Sequence, residues 1–381
     1  MKVIVVGAGS FGSWCAWNLL ANGADVTLID AWGPGNSRSS SGGETRVIRT
    51  VYGTDSHYVE LASRAIKLWD SHQRDWQENL MEITGCLWLC GADDSYVRAS
   101  QSKMQQHGLS LDDIPLSTAR TTWPLIEFDG IEQVIREPTA GFLRARKSCE
   151  VIKQQFENHG GEFINGNVLD LDETQPIDRV NLSNGNSYEA DHYVFACGPW
   201  LKDLFPESIG NHMQISRQEV YYFGASKEIS HLISELPIWL ELNEPIYYGI
   251  PSVDSRGFKI ARDERGVNFD PTCGDRAPTS SLVQQTRDYL RRRFPKLADS
   301  PMIESRTCQY SNTPDGHYII DRHSPTNAWV VGGGCGHGFK MGPVIGEIVG
   351  NAIINQQMPA PMFGLNRLNV ASERCTQFDH S

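Results

Sequence analysis

The chain begins with a short run of β-branched apolar residues, Val3–Val6, that runs directly into Gly7. Such a run is typical of a strand buried on both faces. The positions from Ser13 to Ala21 contain no glycine or proline and predict a helix. Ala24–Ile29 predicts a second strand, which ends at Asp30. The order strand, helix, strand predicts a parallel βαβ unit.

The turn between the first strand and the helix carries the glycine spacing GxGxxG in the residues Gly7, Gly9, Ser10, Phe11 and Gly12. Gly7 permits a tight turn, Gly9 lets the backbone approach a pyrophosphate, and Gly12 allows the helix to pack closely on the strand. Asp30 lies near the offset of about 20 residues expected for a ribose-binding carboxylate. The helix N-terminus attracts phosphate. The pattern predicts a dinucleotide site, leaves NAD and FAD as alternatives, and has a structural βαβ turn as its other interpretation.

Two later apolar segments also run into glycine. Residues 191–196 lead into Cys197-Gly198, and Ala328–Val331 leads into a run of glycines that ends at Gly338. A strand that enters several glycines favours backbone lying against a large flat ligand, because side chains would hold the ligand away. A flexible loop is the alternative. A helix with proline in its first turn is predicted next, from Pro343 to Ile354.

Three glycine-rich strand ends predict a Rossmann-type domain assembled from discontinuous segments, 1–85, 147–215 and 307–370. The intervening stretches, 86–146 and 216–306, show short strands and turns and predict an interleaved substrate domain with a mixed sheet. Residues 371–381 form a tail. The fold class is α/β combined with α+β. Arg287–Phe294 predicts an amphipathic helix whose basic residues form a solvated face.

Composition narrows the class of function. Forty-six acidic against 34 basic residues give a net charge of −12, which argues against nucleic acid as a partner. The chain has no apolar run of the ~18 residues that a membrane span needs, and no signal peptide is predicted. The nine cysteines are odd in number and scattered, which favours a reducing, cytoplasmic location. Cys86 and Cys90 lack a nearby histidine or second cysteine pair, so no metal site is predicted.

Four motifs together carry a resemblance: the N-terminal glycine pattern, SSSGGETRVIR at 39–49, CQYSNTPD at 308–315 and GHGFK at 336–340. In these motifs the chain resembles the monomeric sarcosine oxidase family of flavin-dependent amine oxidases, within the D-amino-acid-oxidase-like group. The resemblance runs from Val3 to about Asn369 and implies FAD rather than NAD. With the motifs and strand ends above, it predicts further cofactor-binding residues: Ser39, Ser40, Thr45, Arg46, Val168, Cys197, Gly198, Trp200, Cys308, Gly334, Gly336, His337, Gly338, Phe339 and Lys340.

The resemblance also implies roles for individual side chains. Cys308 matches the cysteine that the family links covalently to the flavin 8α-methyl group. Lys259 matches a lysine beside flavin N5 that assists oxygen reduction, because a fixed ammonium stabilises developing negative charge. Strand alternation turns Lys259 away from Phe258 and Ile260. Without the resemblance, Lys259 reads as a solvated strand lysine.

Arg49 and Lys340 match the pair that holds the substrate carboxylate, an anion that suits the arginine fork. Tyr248 and Tyr310 match aromatic residues that line the substrate cavity. The chain departs from sarcosine-specific members at Gly42 and Asp263, where those proteins carry histidine. We expect the glycine to enlarge the cavity. The carboxylate of Asp263 is expected either to meet a substrate ammonium or to pair with Arg262.

The sequence therefore predicts an FAD-dependent oxidase that acts on a small amine or amino acid and on O2, and releases H2O2. Its catalytic residues are Lys259, Arg49, Lys340, Tyr248, Tyr310 and Asp263. Two alternatives stay open. One is a maturation flavoprotein that oxidises a residue such as tryptophan in a partner protein, and the other is an NAD-dependent dehydrogenase.

Overall fold

The structure is a computed structural model that describes residues 1–324 and 326–369. The predicted tail, 371–381, lies outside these ranges. The strands of the described chain are β1 (Lys2–Val6), β2 (Asp25–Asp30), β3 (Thr45–Ile48), β4 (Met81–Glu82), β5 (Cys86–Cys90), β6 (Asp112–Ile114), β7 (Gln133–Glu137), β8 (Gly141–Arg144), β9 (Glu162–Asn165), β10 (Val180–Asn181), β11 (Ser187–Tyr188), β12 (His192–Phe195), β13 (Gln214–Phe223), β14 (Ile238–Glu241), β15 (Tyr247–Ile250), β16 (Phe258–Arg262), β17 (Met302–Asn312), β18 (Ile319–His323) and β19 (Ala328–Gly332).

The α-helices of the same ranges are α1 (Ser10–Ala21), α2 (Ser56–Asp75), α3 (Ser95–Ala99), α4 (Gln101–Gln106), α5 (Leu116–Thr122), α6 (Ala145–Asn158), α7 (Leu201–Leu204), α8 (Ser230–Ser234), α9 (Ser280–Arg293) and α10 (Gly342–Ile354). Short 3-10 helices lie at Gly198–Trp200, Gly210–His212, Pro295–Leu297, Phe339–Met341, Pro361–Phe363 and Leu365–Asn369. The predicted helix after the last glycine run is confirmed as α10, which has proline in its first turn.

The N-terminal βαβ unit lies at the centre of a six-stranded sheet with the order β18-β19-β12-β1-β2-β9. All pairs are parallel except β18 with β19. Helix α1 begins at Ser10, earlier than predicted, with Gly9 as its N-cap. The N–H of Ser10 donates to Ser41 Oγ at 3.1 Å, so a neighbouring loop satisfies this terminal donor. The sheet therefore brings the glycine ends of β1, β12 and β19 to one edge.

The second large sheet has eight strands in the order β17-β13-β16-β15-β14-β5-β7-β6 and is antiparallel except for β14 with β5. Side chains alternate between its faces. Phe258 and Ile260 lie in the apolar cluster that packs on α9. Lys259, between them, points to the other face and lines a cavity, as alternation predicted. The Rossmann-type sheet and this mixed sheet confirm the predicted fold class.

The prediction that the basic residues of α9 form a solvated face is wrong for Arg293. Its side chain is buried, and its Nε and Nη2 atoms donate to the two carboxylate oxygens of Glu241 at 2.8 and 2.9 Å. Arg291 and Arg292 remain exposed. The last turn of the helix points one arginine inward, where a buried carboxylate neutralises it.

The strands depart from the predicted domain segments at two points. β8 lies in the segment 86–146, yet it pairs with β3 and β4 in a three-stranded sheet. β17 runs across residue 307, because it pairs with β13 along its length and so belongs wholly to the eight-stranded sheet. Within 1–324 and 326–369, no helix is both long enough and apolar enough to cross a bilayer.

Candidate active site

Two adjoining cavities lie between the glycine edge of the six-stranded sheet and the free face of the eight-stranded sheet. The smaller has a volume of about 340 Å³ and the larger about 1370 Å³. Residues that line both cavities are Ser39, Arg46, Asp203, Cys308, Tyr310, Gly336 and Phe339. Because these residues are shared, a single extended ligand can occupy both spaces.

The smaller cavity is bounded mainly by backbone and small side chains. The predicted cofactor residues on it are Gly7, Gly9, Ser10, Phe11, Asp30, Ser39, Ser40, Arg46, Val168, Cys197, Gly198, Trp200, Cys308, Gly334, Gly336, Gly338 and Phe339. Gly7 has a φ of +105°, and a Cβ there would lie 2.4 Å from the Ala196 carbonyl oxygen. A Cβ on Gly12 would lie 1.7 Å from the Gly7 oxygen, so Gly12 serves the packing of α1 and does not line either cavity.

Asp30 ends β2 with its carboxylate fixed at the edge of the smaller cavity. Its Oδ2 accepts from the Ala8 N–H at 2.7 Å, and its Oδ1 accepts from the N–H groups of Trp32 and Gly33 at 2.8 Å each. Burial raises the pKa of Asp30, while these donors lower it. Trp32 was missed by the sequence reasoning. Its ring centroid lies 4.8 Å from that of Trp200, and both rings line the cavity. The position of Trp32 two residues after Asp30 is the only sequence signal that could have indicated this role.

The larger cavity lies over the free face of the eight-stranded sheet. The remaining predicted residues on it are Arg49, Tyr248, Lys259, Asp263, Tyr310, His337 and Lys340. Strand register places Lys259 opposite Tyr222, and Tyr248 opposite Ala261, and every second residue of each strand faces the cavity. Arg49 directly follows β3, and Lys340 lies in the 3-10 helix Phe339–Met341, so segments outside the eight-stranded sheet complete the surface.

Lys259 is a buried cation whose ammonium is held in place. Its Nζ donates to the Thr45 carbonyl oxygen at 2.9 Å and to Thr45 Oγ1 at 3.2 Å. Burial, with a further effect from Arg46, lowers the pKa of Lys259 to about 7. Thr45, predicted to bind the cofactor, lines neither cavity and provides the acceptors for Lys259. Lys259 is therefore partly protonated near neutral pH.

Cys308 lies at the junction of the two cavities, on β17. Arg46 Nη2 lies 3.4 Å from its sulfur and also donates to the Ser40 carbonyl oxygen at 2.6 Å. Arg46 Nη1 donates to the Thr45 oxygen at 2.7 Å. The guanidinium thus connects the serine-rich loop to the sulfur and keeps Cys308 at the junction.

Arg49 and Lys340 both lie over the same tyrosine ring. The Arg49 Cζ atom is 4.9 Å from the Tyr52 ring centroid, and Lys340 Nζ is 5.2 Å from it. Both cations are nearly buried. Lys340 Nζ donates to the His337 carbonyl oxygen at 3.1 Å, and Arg49 donates to the Val51 carbonyl oxygen. The structure brings the two predicted carboxylate-binding residues together, with Tyr52 as a partner that the sequence reasoning missed.

Asp263 accepts a hydrogen bond from the Tyr310 hydroxyl at 3.2 Å. Arg262 pairs with Glu264 at 3.0 Å, so the alternative in which Asp263 serves only to pair with Arg262 is not what the structure shows. Burial, followed by the charge of Asp263, raises the pKa of Tyr310 and of Tyr248. Both hydroxyls therefore remain protonated and able to donate at neutral pH.

Gly42 lines the larger cavity, so the expectation that it enlarges this cavity stays a prediction. A Cβ at Gly42 would lie 2.1 Å from the Asn36 carbonyl oxygen and would point at the loop that contains it. A histidine at this position would require that loop to move. Both departures from the sarcosine-specific members, Gly42 and Asp263, therefore lie on the larger cavity.

The comparisons with known proteins agree with this site. The family model described as FAD dependent oxidoreductase matches residues 2–352, and the chain belongs to this family. Monomeric sarcosine oxidase from Streptomyces avermitilis is 30% identical over 379 residues, covering 97% of this chain and 98% of that protein. N-methyl-L-tryptophan oxidase from Yersinia pestis is 27% identical over 369 residues, covering 94% and 96% respectively. The protein is thus an FAD-dependent oxidoreductase of the amine and amino-acid oxidase type, which excludes the NAD alternative.

A solved structure supports the fold. The L-proline dehydrogenase from P. horikoshii superposes with a TM-score of 0.85 at 20% identity, covering 98% of this chain and 99% of that chain.

The residues present fit FAD. Gly9 faces the smaller cavity, and within 4 Å a Cβ there would meet only Ser41 Oγ, at 3.4 Å. The protein therefore leaves space over Gly9 that a pyrophosphate could occupy, next to the N-terminus of α1. Asp30 lies at the end of the same cavity, where a ribose hydroxyl could donate to it. The junction at Cys308 and Arg46 leads on to the larger cavity, which has room for a ring system and a substrate.

Proposed function

We propose that the protein oxidises the C–N bond of an amino acid or a secondary amine, with O2 as the final oxidant and H2O2 as the product. The substrate loses two electrons and two protons and becomes an imine, which water hydrolyses. The observation that carries the proposal is the pair of buried cations, Arg49 and Lys340, which both lie over the Tyr52 ring in a cavity that also contains Lys259. Two cations at one place favour a carboxylate, and the carboxylate fixes the substrate orientation.

When bound, FAD would supply the two-electron redox chemistry that links oxidation of the C–H bond beside the nitrogen to reduction of O2. Arg49 and Lys340 hold the carboxylate at one end of the cavity. Lys259 provides a cation for the anions formed when oxygen is reduced. Its lowered pKa of about 7 also lets it give up a proton near neutral pH.

Asp263 is proposed to receive the amine end of the substrate. Its carboxylate lines the larger cavity and is oriented by the Tyr310 hydroxyl. An amine must be neutral before its C–H bond can be broken as a hydride equivalent, so a carboxylate that accepts the ammonium proton prepares the substrate. Tyr248 and Tyr310 stay protonated, because their pKa values are raised. Their hydroxyls can therefore donate hydrogen bonds in the cavity without adding a charge to it.

A peroxide-coupled screen tests the proposed function. Purified flavin-loaded protein is offered amino acids, N-methyl amino acids and the matching amines without a carboxylate, and H2O2 is measured. We expect turnover of at least one amino acid and a lower kcat/KM for its carboxylate-free counterpart. A yellow protein that oxidises none of these compounds would overturn the proposal. It would favour the alternative substrate, a residue of a partner protein, which predicts no turnover of free amines.

A further inference from the structure

A fully buried carboxylate lies behind the larger cavity. Glu137 ends β7 and is 0% exposed, and its Cα partner is Cys86 on β5. Among the described residues that line the larger cavity, Glu137 does not appear. A carboxylate removed from water in this way is costly unless donors and a cation compensate it. The hydrogen-bond donors to Glu137 indicate which residue its carboxylate positions.

Each donor to Glu137 is a neighbour of Arg49. Glu137 Oε1 accepts from the Thr50 N–H at 2.5 Å and from the Thr50 hydroxyl at 2.7 Å, and Thr50 directly follows Arg49 in the chain. Glu137 Oε2 accepts from Trp88 Nε1 at 3.2 Å. The Trp88 ring centroid lies 5.3 Å from the Arg49 Cζ atom. One carboxylate therefore holds both the backbone beside Arg49 and a ring on which the guanidinium rests.

The electrostatics agree with this geometry. Burial by itself would lower the pKa of Arg49, but Tyr96, Tyr52 and then Glu137 raise it overall. The guanidinium lies over both the Trp88 and the Tyr52 rings, which favours a planar cation with a fixed orientation. Glu137, which does not line the cavity, thus compensates the charge of Arg49, and Arg49 itself lines the cavity.

We propose that Glu137 is a positioning residue that sets the orientation of Arg49 for the substrate carboxylate, through Thr50 and Trp88. The inference rests on the proposed function, in which Arg49 meets that carboxylate. Glu137 touches neither substrate nor cofactor in this account. Its effect reaches the substrate only through the guanidinium, so it should act on ligands that carry a carboxylate and spare those that do not.

The test uses Glu137→Gln in the flavin-loaded protein. The amide keeps the shape of the side chain, removes its charge, and turns an NH2 group toward either Trp88 or Thr50, where a donor already points. The measurement is the dissociation constant of a graded set of monocarboxylates, from acetate to benzoate, followed by the change in flavin absorbance. We expect the constant to rise about tenfold or more. Trp88→Phe keeps an aromatic ring at this position and removes the Nε1–H donor, so it should show a smaller rise in the same direction.

Glu241→Gln is the matched control. Glu241 is also a buried carboxylate with an arginine partner, but it faces α9 on the opposite side of the sheet. We expect it to leave carboxylate binding unchanged, whatever it does to thermal stability. Equal weakening in both glutamine variants, or wild-type binding in Glu137→Gln, would overturn the inference.

The outcomes separate this inference from the proposed function. Wild-type protein that binds carboxylates but oxidises no amine would refute the function and leave the role of Glu137 measurable. Wild-type protein that binds no carboxylate would refute the docking role of Arg49, and the inference with it. In the variants that retain turnover, KM for an amino acid should rise more than KM for its carboxylate-free amine.

Discussion

The two cavities are built in different ways. The smaller is formed by the ends of β1, β12 and β19, where glycines leave the backbone itself as the contacting surface. The larger is formed by side chains on one face of the eight-stranded sheet together with side chains from the segment after β3 and the 3-10 helix before α10, and several of them are buried charges. A cofactor common to a whole family can be recognised by backbone. A substrate that differs between members needs side chains, which can change without altering the fold.

The two cavities also differ in the structural requirement that each must meet. The smaller cavity needs close approach of α1 to the β1 turn, where a Cβ on Gly12 would strike the Gly7 oxygen. The larger cavity needs cations held away from water, which is unfavourable unless each has acceptors nearby. Lys259 has Thr45, and Lys340 has the His337 carbonyl. Backbone geometry therefore limits change in one cavity, and electrostatic compensation limits it in the other.

The largest expected effect comes from glycine substitutions in the turn between β1 and α1, beside the smaller cavity. Gly12→Ala places a Cβ 1.7 Å from a backbone oxygen, so we expect loss of soluble folded protein. Gly9→Ala meets only Ser41 Oγ at 3.4 Å, so the fold should persist while FAD binding is lost. Circular dichroism and the flavin content after purification measure the two effects. Gly9→Ala protein with a full complement of FAD would show that the pyrophosphate does not approach Gly9.

The second prediction concerns the junction between the cavities. If Cys308 carries a covalent flavin link, acid precipitation of the wild-type protein should leave the yellow colour in the pellet, and Cys308→Ala should move all of it to the supernatant. Cys197→Ala is the control, because Cys197 lines the smaller cavity and should leave the colour in the pellet. Flavin released from the wild-type protein would show that the link is absent.

The N-terminal part of the smaller cavity could be predicted from sequence because its parts are local. The strand, the glycine spacing, α1 and Asp30 all lie within 30 residues, and each has a conformational reason that a reader of the sequence can state. The helix α1 begins three residues earlier than predicted. The N–H of Ser10 in its first turn donates to Ser41 Oγ, and Ser41 lies outside the segment from which the helix was predicted. The predicted fold class followed from three such strand ends.

The larger cavity depends on contacts between distant segments. The resemblance supplied Lys259, Arg49 and Lys340, but the residues that compensate them, Thr45 and Glu137, carry no local signal. Which residues share a face is decided by the register of strands far apart in the chain. The direction of the Gly42 Cβ is equally invisible to sequence reasoning, since it depends on how the loop at Asn36 folds back.

The smallest expected effect in this set is that of Lys259→Met, which tests how much the larger cavity depends on a single buried charge. We expect the reaction with oxygen to slow by about a hundredfold, the magnitude typical of removing one preorganised electrostatic partner. Stopped-flow reoxidation of the reduced protein measures it. Lys153→Met, which removes a surface cation on α6, is the control and should have no effect.

The pH dependence sharpens the same test. The pKa of Lys259 is lowered to about 7 in the folded protein, against about 10.4 in an unfolded chain. Between these values the unfolded state binds more protons, so this lysine makes stability rise with pH from about 7 to about 10.4. The ammonium that assists oxygen is lost over the start of that window, so wild-type reoxidation should slow as pH rises through 7. Lys259→Met should show neither trend and should be most stabilised relative to wild type below pH 7. A wild-type reoxidation rate that is flat from pH 6 to 9 would show that the protonated lysine is not what oxygen meets.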